Sequence, residues 1–364
     1  MSTTTPELQQ LIDRVRSAQA DGRPLSIQGG GTKSFYGEPA SGEPLDVRSL
    51  TGISSYEPTE LVVTARCGTL LTELEAALAE QGQCLPFEPP RYGEGGSVGG
   101  MVAAGLSGPA RAAVGSVRDY VLGATLLNGR AEVLSFGGQV MKNVAGYDVS
   151  RLLAGSLGTL GVILEVSLKV LPVAPATATL RFEMDQASAI QRLNEWGGQP
   201  LPLNASAWWD GMLVLRLSGA QAAVQAASRK LGGETVAVLP AAAFWSGLRD
   251  HKDEFFTKAH AAVEAGASLW RLSVAPTAAP LQLSGEQLLE WNGGQRWLCT
   301  SAPAALVRDA ARAAGGHATL FRGGEQRREV FAPLAAPLDR IHRDLKKAFD
   351  PAGIFNPGRL YPGL

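Results

Sequence analysis

Cysteine and histidine are the scarce reagents of this chain, with three cysteines and four histidines in 364 residues. Cys67, Cys84 and Cys299 are odd in number and show no Cys-x-x-Cys spacing. That usage fits a reducing compartment and excludes an iron–sulfur cluster or structural zinc held by this chain alone. The histidines, His251, His260, His317 and His342, lack His-Glu-x-x-His spacing, so no metal centre is expected. Charge of either sign is also missing in excess. Lys plus Arg number 33 and Asp plus Glu 34, a net −1 that argues against nucleic acid as a partner. No apolar run reaches the roughly 18 residues of a membrane span. Met1 to Glu7 carries no apolar h-region, so no signal peptide is expected and the location is read as cytoplasmic. Any peripheral attachment to the inner face of a membrane would come through partners.

Glycine is abundant, and unevenly so. Of 43 glycines, 25 fall between Gly22 and Gly161. They gather in three knots: Gly29-Gly30-Gly31-Thr32-Lys33-Ser34, then Gly93-Glu94-Gly95-Gly96-Ser97-Val98-Gly99-Gly100, then Gly155-Ser156-Leu157-Gly158-Thr159-Leu160-Gly161. Without Cβ, main-chain amides in such loops can press on a ligand, and successive N–H groups form nests for anions. Three nests predict an extended ligand carrying phosphate, a dinucleotide, and more specifically FAD. Ordinary tight turns are the simpler alternative, most seriously for the third knot. The first knot is neither a P-loop, since Thr32 precedes Lys33, nor Gly-x-Gly-x-x-Gly, since Ser34 holds the last position. Ser97 opens an apolar helix whose N-terminus could face the same diphosphate.

Hydrophobic content of 45% and charged content of 18% describe an ordered protein with real cores. Leu8, Leu11, Ile12 and Val15 predict a helix over 8–20, and strands follow at 24–28 and 61–67. Thr69 is placed to cap a helix carrying Leu71, Leu74 and Leu78. Asn128-Gly129 predicts a hairpin between 121–127 and 132–136. Val162 to Val170 alternate with polar residues, which predicts a half-buried antiparallel strand. Pro172-Val173-Ala174-Pro175-Ala176 marks a boundary. Beyond it, strand 177–183, helix 187–196, a hairpin about Asp210-Gly211 and helix 220–231 resemble half of a ferredoxin-like unit. A second, weaker set lies at 269–274, 297–300, 304–314 and 318–321. A last helix carries Leu338, Ile341, Leu345 and Phe349 on one stripe and ends at Asp350-Pro351.

Four segments together resemble a known family. Ile27 to Ser34, Gly95 to Gly100, Val140-Met141-Lys142-Asn143-Val144-Ala145-Gly146-Tyr147-Asp148 and Gly155 to Ile163 look like the vanillyl-alcohol-oxidase (PCMH) type of FAD-binding domain. Phe349-Asp350-Pro351-Ala352-Gly353-Ile354-Phe355-Asn356-Pro357-Gly358-Arg359 is similar to that family's closing segment. Within the family, Gly315 to Arg322 and the short second domain are most similar to the FAD-binding subunits of bacterial glycolate oxidase. The resemblance implies an α+β protein: a two-subdomain PCMH-type FAD-binding domain over 1–173, a ferredoxin-like α+β cap over 174–330, and 331–364 returning to the first domain. It implies FAD held by Gly29, Gly30, Gly31, Thr32, Lys33, Ser34, Gly95, Gly96, Ser97, Gly99, Gly100, Gly158, Thr159, Gly161 and Ile163. Some relatives attach FAD through a histidine in the first loop; no histidine precedes His251, so binding is expected to be noncovalent.

Implied as well are a small 2-hydroxy acid as substrate and a complex with a paralogous flavin subunit and an iron–sulfur subunit. Oxidation of such an acid needs a hydride acceptor, a base for the hydroxyl proton and a cation for the carboxylate. Related D-2-hydroxy-acid dehydrogenases place a histidine pair and an acid around a metal, and no such cluster is visible here. His317 and Arg322 are the nearest candidates, with a satisfied histidine and a surface arginine as the plain alternative. Lys142 is a candidate beside the flavin ring, and Arg359 one for stabilising charge on reduced flavin; each has a structural role as its alternative. Trp208, Trp209, Trp270 and Trp297 read as core of the second domain. Two other functions stay open: a self-sufficient dehydrogenase of another hydroxy acid, and an interaction protein that keeps the fold without flavin chemistry.

Overall fold

The computed structural model describes residues 5–138, 148–324 and 329–364. Chain contacts divide it into two units. The first takes the chain up to Leu106, then Ser116–Pro172 and Pro333–Leu364. The second takes Ser107–Gly115 and Val173–Ala332. The short excursion of Ser107–Gly115 into the second unit has no counterpart in the sequence reading.

In the first unit, the helix Pro6–Asp21 starts at Thr5, whose hydroxyl accepts from Leu8 N, and ends at Gly22 in the left-handed region. It buries Leu11, Ile12, Val15 and Ala18. Strands β1 (Leu25–Gln28) and β2 (Glu43–Asp46) pair in parallel. Strands β3 (Ile53–Glu57), β4 (Val62–Arg66), β6 (Val121–Leu127), β7 (Val133–Gly137) and β8 (Val162–Lys169) form one antiparallel sheet in the order β3-β4-β8-β6-β7. Two short strands, β5 (Gln83–Cys84) and β9 (Leu171–Pro172), pair beside it. One apolar core joins Leu11, Val15, Leu25 and Leu45 to Val63, Leu164 and Val166.

Three local expectations are corrected. β8 is the middle strand of its sheet, and six of its eight residues are buried rather than half of them. Alternation does not distinguish a half-buried strand from one covered on both faces when Ser167 is itself bonded to Thr64 across β4. The hairpin β6–β7 exists, but its turn spans Asn128 to Glu132 and the left-handed residue is Ala131, not Gly129. Thr69 does not cap the helix Leu71–Glu80; its hydroxyl exchanges hydrogen bonds with the backbone of Gly52 instead.

The second unit is an eight-stranded sheet. Strands β10 (Ala176–Glu183), β11 (Leu203–Trp209), β12 (Met212–Gly219) and β13 (Glu234–Val236) run in the order β13-β10-β12-β11, with helices Gln186–Gly197 and Gln221–Leu231 between them. That is a complete ferredoxin-like unit. Its hairpin turns tightly on Asp210 and Gly211, both at positive φ, because Trp209 pairs directly with Met212. Strands β14 (Ser268–Ser273), β15 (Glu286–Glu290), β16 (Gln295–Thr300) and β17 (His317–Arg322) repeat the same order in reverse, β15-β16-β14-β17. The two halves join edge to edge through β11 and β15. Trp270 and Trp297 are buried core, whereas Trp208 and Trp209 are half-buried.

Candidate functional site

β1 delivers the first glycine knot from a rigid support. β2 lies on one side of it, and residues 354–356 lie on the other through Leu25 N to Ile354 O (2.7 Å) and Asn356 N to Leu25 O (2.9 Å). The loop then folds on itself, with Ser34 N donating to Gly31 O and Tyr36 N to Lys33 O. Among the described residues, the amides of Gly29, Gly30, Gly31 and Thr32 donate to no protein acceptor. Four successive unsatisfied donors form a nest for an anion.

The second knot closes on the first. A Cβ on Gly30 would overlap the carbonyl oxygen of Gly95, and one on Gly29 would lie 2.7 Å from Ser97 Oγ. Only glycine allows this approach at position 30. Ser97 caps the helix Val98–Ala104, its Oγ accepting from Gly100 N at 3.3 Å. Between the knots lies a cavity of about 410 Å³, within the size range of ligand pockets. Its lining includes all of Gly29 to Ser34, Ser97, Gly100, Leu157, Asn356 and Arg359. Main-chain donors, a capping serine and Lys33 in one concavity fit the diphosphate of a dinucleotide.

The other expected residues stand behind this lining. Gly95 and Gly96 back Gly30 and Thr32. Gly99 packs on Cys67, whose buried thiol is pushed up to about 12 and is no nucleophile. Gly158 lies against Ile27 and Asn356, and Gly161 against Leu127 O. Thr159 is buried and offers its carbonyl to Lys346 Nζ at 2.8 Å. Ile163 is buried in β8 opposite Leu126. Lys142 lies outside the described residues.

Arg359 is 8% exposed, and its guanidinium donates to three carbonyls of the first loop: Ser34 O (2.8 Å), Tyr36 O (2.6 Å) and Glu38 O. Asn356 was missing from the expected set, although its motif was read. Its Oδ1 accepts from Ile27 N at 2.8 Å and its Nδ2 donates to Leu157 O at 2.6 Å. It thereby ties the strand bearing the first knot to the third knot.

In the second unit, His317 and Arg322 begin and end β17, opposite Ser273 and Leu269 of β14. His251 lies buried between Phe256, stacked at 3.5 Å, and the edges of Trp297 and Phe321. Burial holds its imidazole well below the ordinary value, and Arg322, His260 and Arg271 add to that. His260 is lowered by burial and Arg322, and His317 by burial and Arg271. The rings of His251 and His260 lie 6.5 Å apart by centroid, and Arg271, His317 and Arg322 lie on the paired strands β14 and β17. Periodicity could not have found this, because His251 sits at the C-cap of helix Val238–Asp250 and His260 on helix Glu254–Glu264. Among the described residues, no three His, Cys, Asp or Glu side chains gather to hold a metal, and no helix is long and apolar enough to cross a membrane.

Comparison with known proteins gives this geometry a family. Residues 5–137 match the family described as FAD binding domain. The chain is 48% identical over 356 residues to the glycolate oxidase subunit GlcE of Escherichia coli strain K12, covering 98% of each chain. It is 34% identical over 151 residues to a D-lactate dehydrogenase of Anaerostipes hadrus, covering 42% of this chain and 30% of that one. Over 172 residues it is 28% identical to the glycolate oxidase subunit GlcD of Bacillus subtilis strain 168, covering 46% and 36%. A solved alkyldihydroxyacetonephosphate synthase shares the fold, with a TM-score of 0.66 at 16% identity over 96% of this chain and 74% of that one. By fold, by cofactor-binding domain and by identity along its whole length, this chain belongs to the PCMH-type FAD-binding flavoprotein family that includes GlcE.

Proposed function

We propose that this protein is the FAD-holding subunit of a glycolate-oxidising complex, in which a small 2-hydroxy acid becomes a 2-oxo acid and electrons pass to partner subunits. The observation that carries the reading is the row of main-chain donors at Gly29–Thr32, without protein acceptors among the described residues and lining the cavity, read together with the 48% identity to GlcE over 98% of each chain. When bound, FAD supplies a two-electron acceptor for a hydride from the carbinol carbon. Gly29 to Ser34, Ser97 and Gly100 would hold the diphosphate. Gly95, Gly96 and Gly99 would keep the second loop close. Gly158, Thr159, Gly161 and Ile163 would shape the adenine or ribose end from behind. Binding would be noncovalent, since the first loop holds no histidine for a histidyl linkage.

The partners would be a paralogous flavin subunit and an iron–sulfur subunit, with any attachment to the inner face of a membrane made through them. The second unit would act as the cap over the substrate. Arg271, His317 and Arg322 on the paired strands β14 and β17 favour a second reading, in which this chain itself grips a substrate carboxylate. His317 and Arg322 would then be its first contacts.

An absorption spectrum of the purified chain tests the proposal. Flavin bands should be present, and trichloroacetic acid should release the pigment to the supernatant. Anaerobic glycolate should bleach the flavin only when the partner subunits are added. Bleaching of the isolated chain would favour the second reading, and colourless protein unable to take up FAD would overturn both.

A further inference from the structure

We infer that Asn356 and Arg359, from the closing segment of the chain, are positioning residues that aim the phosphate-binding loop. The inference rests on the reading of the Gly29–Ser34 loop as the diphosphate site.

A cavity-lining loop whose four amides donate to no protein acceptor among the described residues has a competing arrangement. Its own carbonyls could rotate inward and satisfy those donors, which would close the nest. The internal bonds of the loop, Ser34 N to Gly31 O and Tyr36 N to Lys33 O, are short-range and do not prevent this. Arg359 instead fixes the carbonyls of the segment that follows the four amides. One planar guanidinium takes Ser34 O, Tyr36 O and Glu38 O, and the backbone oxygen of Arg359 accepts from Glu38 N at 3.0 Å. A fork with fixed donor directions suits three carbonyls of one loop, and a lysine ammonium would not reproduce it.

Asn356 performs the matching task on the other wall. Its side chain joins Ile27 N, two residues before the first knot, to Leu157 O of the third. Its backbone is in the left-handed region at φ 40, where asparagine is tolerated better than bulkier residues. Both side chains line the cavity whose walls they fasten. The cradle therefore needs residues more than 320 positions apart, as the Ser34–Arg359 contact shows by its separation of 325.

The test uses the full chain as wild type, Arg359→Lys, Arg359→Gln and Asn356→Asp. FAD and ADP are titrated separately, by flavin fluorescence and by calorimetry. Amide hydrogen exchange is followed in the ligand-free proteins. Arg359→Gln should weaken FAD and ADP by a similar factor, roughly ten- to a hundredfold, as expected for losing hydrogen bonds from a charged donor. Exchange should quicken in residues 29–38 while the helix 6–21 and the second unit keep theirs. Arg359→Lys, which keeps the charge and loses the fork, should also bind ADP more weakly than wild type. Asn356→Asp, which keeps the acceptor for Ile27 and loses the donor to Leu157, should weaken binding in the same direction.

Unchanged ADP affinity in Arg359→Lys, or unchanged exchange at 29–38 in either Arg359 variant, would overturn the inference. Should Arg359→Gln fail to fold, Arg359→Lys decides alone. A wild-type chain that binds neither FAD nor ADP would instead sink the cofactor reading, and the exchange measurement would still judge the positioning role.

Discussion

Lys346 Nζ and Asp350 Oδ2 lie 2.7 Å apart, one helical turn from each other, with the carboxylate side chain wholly buried. Neither charge is left alone. Lys346 also donates to Thr159 O and Phe355 O, and Asp350 accepts from Ile354 N and Phe355 N. The pair fastens the end of the helix Ala336–Phe349 and the closing segment to the third glycine knot. Removing one partner leaves an uncompensated buried charge. Lys346→Met should therefore lower the stability of the first unit by about 3–5 kcal/mol in urea denaturation. A loss under 1 kcal/mol would show that the pair contributes little.

Gly129 meets the same carboxylate from the other side. A Cβ there would overlap Asp350 Oδ1 and lie 2.8 Å from Asp350 Cα, while Gly129 N donates to Phe349 O. Gly129→Ala should cost about 1–3 kcal/mol as overpacking. Because Gly129 is not at positive φ, that cost should shrink in the background of Asp350→Ala. An equal loss in both backgrounds would assign it to the turn instead.

Gly30→Ala tests the contact between the glycine loops. The new methyl meets the carbonyl of Gly95, so the loops must separate and the nest lose its shape. FAD affinity should fall by more than about tenfold, or ~1.4 kcal/mol. The second unit should melt as in wild type. Retained affinity would place the diphosphate elsewhere.

The second unit should weaken in mild acid. His251, His260 and His317 are all lowered, chiefly by burial, so the folded chain stays unprotonated where the unfolded chain takes up protons, below roughly pH 6.5. The unfolded state then binds more protons, and stability, complete above that pH, falls as pH drops through it. The slope should approach about 1.4 kcal/mol per pH unit for each proton involved. Asp253 works in the opposite sense. Burial raises its carboxyl to about 6, so the folded state holds the extra proton between roughly pH 4 and 6, and its contribution grows with acidification there. His251→Asn keeps the left-handed backbone of residue 251 and should flatten the slope between pH 7 and 6. An unchanged slope would exclude His251 as a source.

Much of the fold was legible where one element decides its own form. Leu11, Ile12 and Val15 lie on the buried face that their spacing predicts. Asp210-Gly211 makes the tight turn that its residues favour. The failures came where a neighbour took over a local signal. Asn128 opens a longer turn because its Oδ1 accepts from both Arg130 N and Glu132 N. On the helix Ala336–Phe349, Leu338 and Ile341 are 50% and 57% exposed, although they share the apolar stripe with Leu345 and Phe349, which pack on the core. A stripe tells which face can be buried, not how far along it a partner extends.

The sequence by itself determined that the N-terminal half would carry close-packed backbone loops, because glycine clusters leave no side chain to fill them. It also determined the α+β class, since periods of 2 and 3.6 residues are written locally. Tertiary structure alone decided that Asn356 and Arg359 would face Ile27 and Ser34, and that His251 would pack against Trp297 and Phe321. Such encounters depend on where distant segments pack, and nothing in the residues between them encodes the distance.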